Sequence, residues 1–457
     1  SIVGALCGTL LGCSSQVVID PEPDLARPAP APDLAGPPVV VPVAQRPSRS
    51  SSIAISDDDA IVVSVNPDED TISIFDGQTS GRLARVQTGD EPWAVALHPD
   101  SQTAFVANRA AATVVKVTDL RTPTPTVSAP LPVGSEPTGL ALSPTGAKLF
   151  VAEWAESRVS IIDTKTMTVI KTINDIRSPR ALAVTNNGDS SDDDETLVVP
   201  EYYGEPQPGG EGQDNGRVGV VRLYSVRDGA PLGVVRLGSL SAAETGFGVG
   251  TTPNQLGSVA INGRLAYITS VSASPQGPPK FDNNVNPVVY VVDLAARAEV
   301  RTPQSGTVNL AREVQKAFTG VATAPLFLAD LRDVDFLPGT NIAYFVSQGA
   351  DTVQRVAFSD NAALQEFGST QNKQIDVLGP APSQCQAPNG IAIARTRPRA
   401  YVNCWVSRKM ATLDLGAQKV GALADSANVV TDPAALAVQR GKRFYFTRSE
   451  EHTSELQ

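Results

Sequence analysis

The segment EPWAVALHPDSQTAFVAN, opening at Glu91, returns as EPTGLALSPTGAKLFVAE at Glu136, so Pro92 recurs as Pro137 after 45 residues, and Pro179 opens SPRALAV after a further 42. A period of this size describes stacked copies of one supersecondary unit, not a string of unrelated domains. In each unit an alternating apolar strand follows the proline. A turn separates it from a second strand such as Ala104 to Ala107, a third such as Val114 to Val117 ends near an aspartate, and a fourth leads to the next unit. Four short strands per roughly 45 residues make a propeller blade.

First strands recur at Ser52 to Ile55, Trp93 to Leu97, Thr138 to Leu142, Arg180 to Val184, Leu256 to Ile261, Arg332 to Phe336 and Gly390 to Ile393. Third strands follow in phase, mostly closing on an acid: Asp76, Asp119, Asp163, Asp293 or Asp414. That makes seven units, and Pro433, 45 residues after Pro388, reads as the opening of another. The expected fold is an all-β propeller of seven four-stranded blades over residues 51–447, with eight blades as the alternative. Length alone would have suggested about three domains of 150 residues. Val95, Leu97, Leu140, Leu142, Ile161, Val220, Val291, Phe345 and Ile391 should pack between blades, and helical periodicity is confined to residues 309–318.

The stretches AFVANRAAATVVKVTDL (104–120), LFVAEWAESRVSIIDT (149–164) and AYVNCWVSRKMATLDL (400–415) resemble the YVTN-type bacterial β-propeller repeat. The resemblance covers roughly residues 51–447 and implies the fold. It leaves function open, because propellers host unrelated activities.

Both ends depart from the repeat. An apolar run from Ile2 to Gly12 stops at Cys13 and reads as a secretory segment too short to span a bilayer. LLGC resembles a lipobox, which implies that residues 1–13 are a signal-peptide remnant and that Cys13 carries a lipid; a plain signal peptide is the alternative. Residues 14–50, rich in Pro and Ala, read as a semi-rigid tether, with Val39 to Val41 as a candidate edge strand. The last ten residues, RSEEHTSELQ (448–457), resemble the translation of a sequencing-library adapter and are set aside as an artefact. The expected location is the cell envelope, as a periplasmic or outer-membrane and cell-surface lipoprotein touching the membrane only through its anchor.

Cys385 and Cys404 flank the seventh hairpin, where a disulfide and a pair of buried thiols are both compatible with the sequence. With 48 acidic against 37 basic residues the chain carries a net charge of −11, which argues against nucleic acid as a partner. Outside the adapter-like tail His98 is the sole histidine, so a multi-histidine metal centre or a CxxCH haem attachment cannot be assembled here. His98 reads as a turn residue in LHPD. Asp189, Asp192, Asp194 and Glu195 sit in one acidic turn and are candidate Ca²⁺ ligands; the turn lacks the EF-hand order, and a solvated acidic turn is the alternative. Asp57 to Asp59 reads as a solvated turn.

Counting strand direction points to a working face. In antiparallel blades the second-to-third and fourth-to-first connections share one face. The long inserts 201–217, 272–286, 238–252 and 295–331 all belong to that face. Trp93, Trp154 and Trp405, with Tyr202, Tyr203, Phe247 and Phe281, would form a rim around the channel mouth there, the alternative being tryptophans wedged between blades. The leading functional expectation is an exported, lipid-anchored scaffold presenting this face to a protein, a glycan or a small ligand, with no catalytic centre and no cofactor besides Ca²⁺. A second is the propeller portion of a c-type cytochrome, electron-transfer or peroxidase-like, with haem c carried beyond residue 447, because GKRFYFT (441–447) resembles the lead-in to such segments. A third is a propeller enzyme such as a lactonase or quinoprotein dehydrogenase.

Overall fold

A computed structural model of the chain describes residues 42–277, 284–302, 305–321, 324–379 and 384–447. Its architecture is a β-propeller of seven blades, each an antiparallel sheet whose strands follow one another in sequence from the channel outward. Blade 1 runs Ile53–Ile55, Ile61–Asn66, Thr71–Asp76 and Arg82–Gln87. The first strands of the other six are Pro92–Leu97, Pro137–Leu142, Ala183–Val184, Leu256–Asn262, Leu331–Phe336 and Pro388–Ile393. Seventh and first blades touch through their inner strands, closing the ring.

The repeat explains the core. Phe105, Phe150, Tyr267, Tyr344 and Tyr401 occupy one position of the second strand in five blades, and all are essentially inaccessible to solvent. Each such ring contributes about 1.5–3 kcal/mol of burial. Of the expected interblade residues, Val95, Leu140, Leu142, Ile161, Val220, Val291, Phe345 and Ile391 are buried, whereas Leu97 is half-buried near the channel end. Outer strands such as Thr168–Ile173 and Arg82–Gln87 are largely exposed and carry Lys and Arg, which discourages pairing with another chain. The aspartates that close third strands act locally: Asp76, Asp163, Asp293 and Asp414 each accept hydrogen bonds from the N–H groups two and three residues on, fixing the turn.

Four features differ from the sequence expectation. Pro433 opens no eighth blade: Pro433–Phe446 is a helix, with Asp432 as its cap accepting from Ala435 N and the proline at its first turn. Proline at the start of a helix costs nothing there, and AALAVQR favours helix over strand. Second, residues 295–309 do not belong to a connection. Ala298–Glu299 and Val308–Asn309 pair with the third strand as the fourth strand of blade 5, interrupted where Arg301–Thr302 pairs with Ser305–Gly306, and the helix Leu310–Ala317 follows, capped by Asn309.

Third, Asp59 is no solvated turn residue. It is buried and accepts from Arg395 N, Thr396 N and Thr396 Oγ1 at 2.6–2.7 Å, tying blade 1 to blade 7. Fourth, residues 44–50 do not stand off as spacer but enter the channel. Ser48–Arg49 adds an inner strand to blade 4, Leu142 N donates to Ser48 Oγ, and Ser50 Oγ bridges Leu140 O and Leu182 N. Arg49 pairs with Asp333 and Asp335 of blade 6 and donates to Ile391 O of blade 7. This strap spans the ring from inside. Val39 to Val41, Cys13 and the tail from 448 lie outside the described residues.

The acids that receive Arg49 break the repeat. At the two inward positions of the first strand other blades carry Ser52 and Ala54, Ala94 and Ala96, Gly139 and Ala141, Ala181 and Ala183, Ser258 and Ala260, or Gly390 and Ala392, but blade 6 carries Asp333 and Asp335. Small residues leave room for the strap, since a Cβ on Gly139 would lie 2.7 Å from Ser50 Oγ, and let blades 7 and 1 approach, since one on Gly390 would lie 2.2 Å from Ser52 Oγ.

Candidate functional site at the channel mouth

Above the strap, on the face that carries the inserts, the channel opens into a cavity of about 430 Å³. Its lining follows from the repeat. In six units a residue at the entry to the first strand takes a left-handed backbone: Glu91, Glu136, Gln255, Asp330 and Ala387 directly before it and Ser178 ahead of Ala183–Val184, with φ between 41° and 57°. In five of these the strand's second residue is a bulge, its neighbours pairing while it does not, as at Pro92/Ala94, Pro137/Gly139, Leu256/Ser258, Leu331/Asp333 and Pro388/Gly390. A bulge re-aims one side chain. The residue at this position in every blade, Ser51, Trp93, Thr138, Arg180, Gly257, Arg332 and Asn389, lines the cavity.

A second tier is set by the same turn. The carbonyl of the left-handed residue accepts from an N–H just past the second strand, or in blade 4 at that strand's break in register: Arg109 N to Glu91 O, Trp154 N to Glu136 O, Tyr202 N to Ser178 O, Gln348 N to Asp330 O and Trp405 N to Ala387 O. Arg109, Tyr202, Gln348 and Trp405 thereby also line the cavity. The helix Pro433–Phe446 closes one side with Lys442 and Phe446, Phe446 lying 4.9 Å from Trp405 between ring centroids and Lys442 Nζ 5.0 Å above the indole.

Of the aromatic residues expected at the rim, Trp93, Tyr202 and Trp405 line the cavity, with Trp93 and Trp405 edge to face at 6.2 Å. Trp154 and Tyr203 do not line it but pack against Tyr202, Trp154 tilted at 5.3 Å and Tyr203 edge to face at 4.9 Å. Phe247 is half-buried in the 238–252 insert and does not reach the lining, and Phe281 lies outside the described residues.

The guanidinium groups were not anticipated. Arg109 stacks 4.3 Å over Trp93 and pairs with Glu91. Arg332 pairs with Asp330 at 2.6 Å and donates to Gln348 Oε1. Arg180 lies 5.4 Å over Trp154 and 4.9 Å over Tyr202, and no carboxylate pairs with it among the described residues. Burial first and the neighbouring charge of Arg332 second lower its pKa to about 10, with Asp330 and Tyr202 opposing them only in part, so it remains a cation without an ion-pair partner of its own among the described residues. The signal was present in the sequence: these arginines follow the repeat residue in SPR and DLR, or stand just past the second strand, the positions that also supply the tryptophans.

The four acids of the 187–195 turn do not converge. Asp192 accepts from Thr145 N and Oγ1 of blade 3, Glu195 is buried against Thr185 Oγ1 and Asn187 N, and Asp189 and Asp194 accept from Asn187 Nδ2. Among the described residues no group of three or more His, Cys, Asp and Glu side chains is arranged to hold a metal ion. Cys385 and Cys404 are joined by a disulfide with Cα atoms 5.1 Å apart. His98 lies at the opposite mouth, its Nδ1 3.1 Å from Asp100 in its own turn. No described helix is long and apolar enough to cross a membrane.

No protein-family model and no curated protein sequence matches the chain. Solved structures do. A chain of hydrazine synthase from Kuenenia stuttgartiensis superposes with a TM-score of 0.58 at 15% identity, covering 79% of this chain and 94% of that one. A functionally unknown protein from Desulfotomaculum acetoxidans gives 0.50 at 12% identity, covering 81% and 96%. At these identities the likeness is one of fold alone: the chain is a seven-bladed β-propeller.

Proposed function

We propose that this propeller is a binding module, held in the cell envelope, which takes its ligand in the channel mouth of the insert-bearing face. The observation that carries the reading is the construction of the mouth. Every blade contributes the residue at one equivalent position, a bulge in five of the seven, whose identity varies freely (Ser, Trp, Thr, Arg, Gly, Arg, Asn) while the strand around it repeats. A scaffold that fixes backbone and varies inward-facing side chains makes a recognition surface. The cavity's volume lies in the range that encloses small molecules. The disulfide and the lipobox-like LLGC support export and anchoring at Cys13.

The test is a thermal-melting screen of the chain against small polar and aromatic metabolites. A ligand at a hundredfold excess over its dissociation constant adds about 2.7 kcal/mol of stability. The expected hit raises the melting temperature, is not turned over, and loses its effect in Trp93→Ala and Trp405→Ala. Hits indifferent to both substitutions would place binding elsewhere and end this reading.

A further inference from the structure

We infer that the channel mouth binds a small, flat monocarboxylate anchored on Arg180, an inference that rests on the mouth being the binding site. Charge accounting leads there. The cavity's cations are Arg109, Arg180, Arg332 and Lys442; Glu91 neutralises the first, Asp330 the third and Asp68 the fourth. Asp333, the remaining acid of the lining, is taken by Arg49 of the strap. Among the described residues Arg180 is the cation of the lining that forms no ion pair with a carboxylate, so the complementary ligand carries one negative charge.

The geometry narrows the class. The guanidinium lies over the Trp154 and Tyr202 rings, whose π-faces attract it and limit its movement while the cavity stays open to its N–H groups. A planar fork of donors matches the two oxygens of a carboxylate. Phosphate monoesters carry close to two charges at neutral pH, and the second would face Glu91 and Asp330 without a free cation. Around the anchor the wall is aromatic: the Trp93–Trp405 pair and Phe446 offer ring faces and edges to a flat apolar body. The cationic neighbour Arg332 adds to the preference, since an anion beside Arg180 relieves the repulsion between the two guanidinium groups.

Titration calorimetry with benzoate, indole-3-acetate, their amides and phenyl phosphate tests the assignment on the intact chain. The expected result is saturable binding of at least one carboxylate, with the matching amide and phenyl phosphate at least tenfold weaker. Arg180→Gln should weaken carboxylate binding by roughly ten- to a hundredfold, the loss of a charge-assisted hydrogen-bonded pair. Arg180→Lys should fall between, keeping charge and losing the fork, and decides the matter if the Gln variant does not fold. Absence of carboxylate binding, amides binding as well as acids, or unchanged affinity in both variants would overturn the proposal. Amide binding abolished by Trp93→Ala would overturn the anion while leaving the mouth as the site; binding of any probe indifferent to Trp93 and Trp405 would remove the site itself.

Discussion

Replacing Arg49 by Met should destabilise the propeller by about 3–5 kcal/mol, the cost of leaving one member of a buried ion pair without the other. The structure sets that magnitude. The Asp333 side chain is 2% exposed and that of Arg49 11%, and the guanidinium reaches Asp333, Asp335 at 3.4 Å and Ile391 O at once. Methionine fills comparable volume but compensates none of these. Asp333 would retain bonds from Ser51 Oγ at 2.6 Å and Ile391 N at 2.9 Å, which hold its position without matching its charge. Adding Asp333→Asn to Arg49→Met removes that charge and keeps the acceptor, so the double variant should recover at least half of the loss, a coupling of about 2 kcal/mol or more. The pH response has a definite sign. Burial holds the Asp333 carboxyl above its unfolded value near 4 even against the charge of Arg49, and losing Arg49 raises it further, so in the variant the protonated form's contribution to stability grows as pH falls and is lost as pH rises through the folded pKa. Urea unfolding followed by circular dichroism between pH 5 and 8 would read all of this. A loss under about 1 kcal/mol, or strictly additive single and double variants, would refute the idea that the strap is held by this pair.

Two further outcomes concern ring closure. Asp59→Ala removes the acceptor for two backbone amides and a hydroxyl of blade 7 and should cost about 2–3 kcal/mol at neutral pH in the same urea assay. Burial opposes the charge on Asp59, yet those three bonds outweigh it and hold the pKa low. Its contribution is therefore complete above pH 4 or so and disappears as pH falls through the folded value, which narrows the gap between wild type and variant in acid. Reduction of Cys385–Cys404, or Ser at both positions, releases a cross-link 19 residues apart in sequence and should lower stability by roughly 3 kcal/mol, read as a shift in the urea midpoint with and without reductant.

The blades were legible because their signal is redundant. Period-two apolar strands recur seven times, and an error at one unit is corrected by its neighbours. The helix Pro433–Phe446 was misread because a repeat proline arrived on schedule at position 433, and the periodic expectation overrode a capping aspartate, an N-terminal proline and an alanine-rich run. The interrupted fourth strand of blade 5 was hidden by its own hairpin, which looks like loop sequence at residues 300–307. Asp59 gave no warning: its partners lie 336 and 337 residues away, and nothing local in SDDDA distinguishes a solvated acid from one that closes a ring.

The strap and the mouth are legible only as departures from the repeat. Strand-forming positions are constrained by packing and look alike in every blade, so they carry little about function. The two places where the pattern fails are informative for that reason. Asp333 and Asp335 stand where the other blades carry only small side chains, and a buried carboxylate at a small, inward position requires a cation, which the chain supplies from residue 49. The bulged position is the converse, tolerating Gly257 and Trp93 alike because its side chain leaves the sheet. Fold is written in what the seven units share, and the proposed site in a position where they differ while all seven line the same cavity.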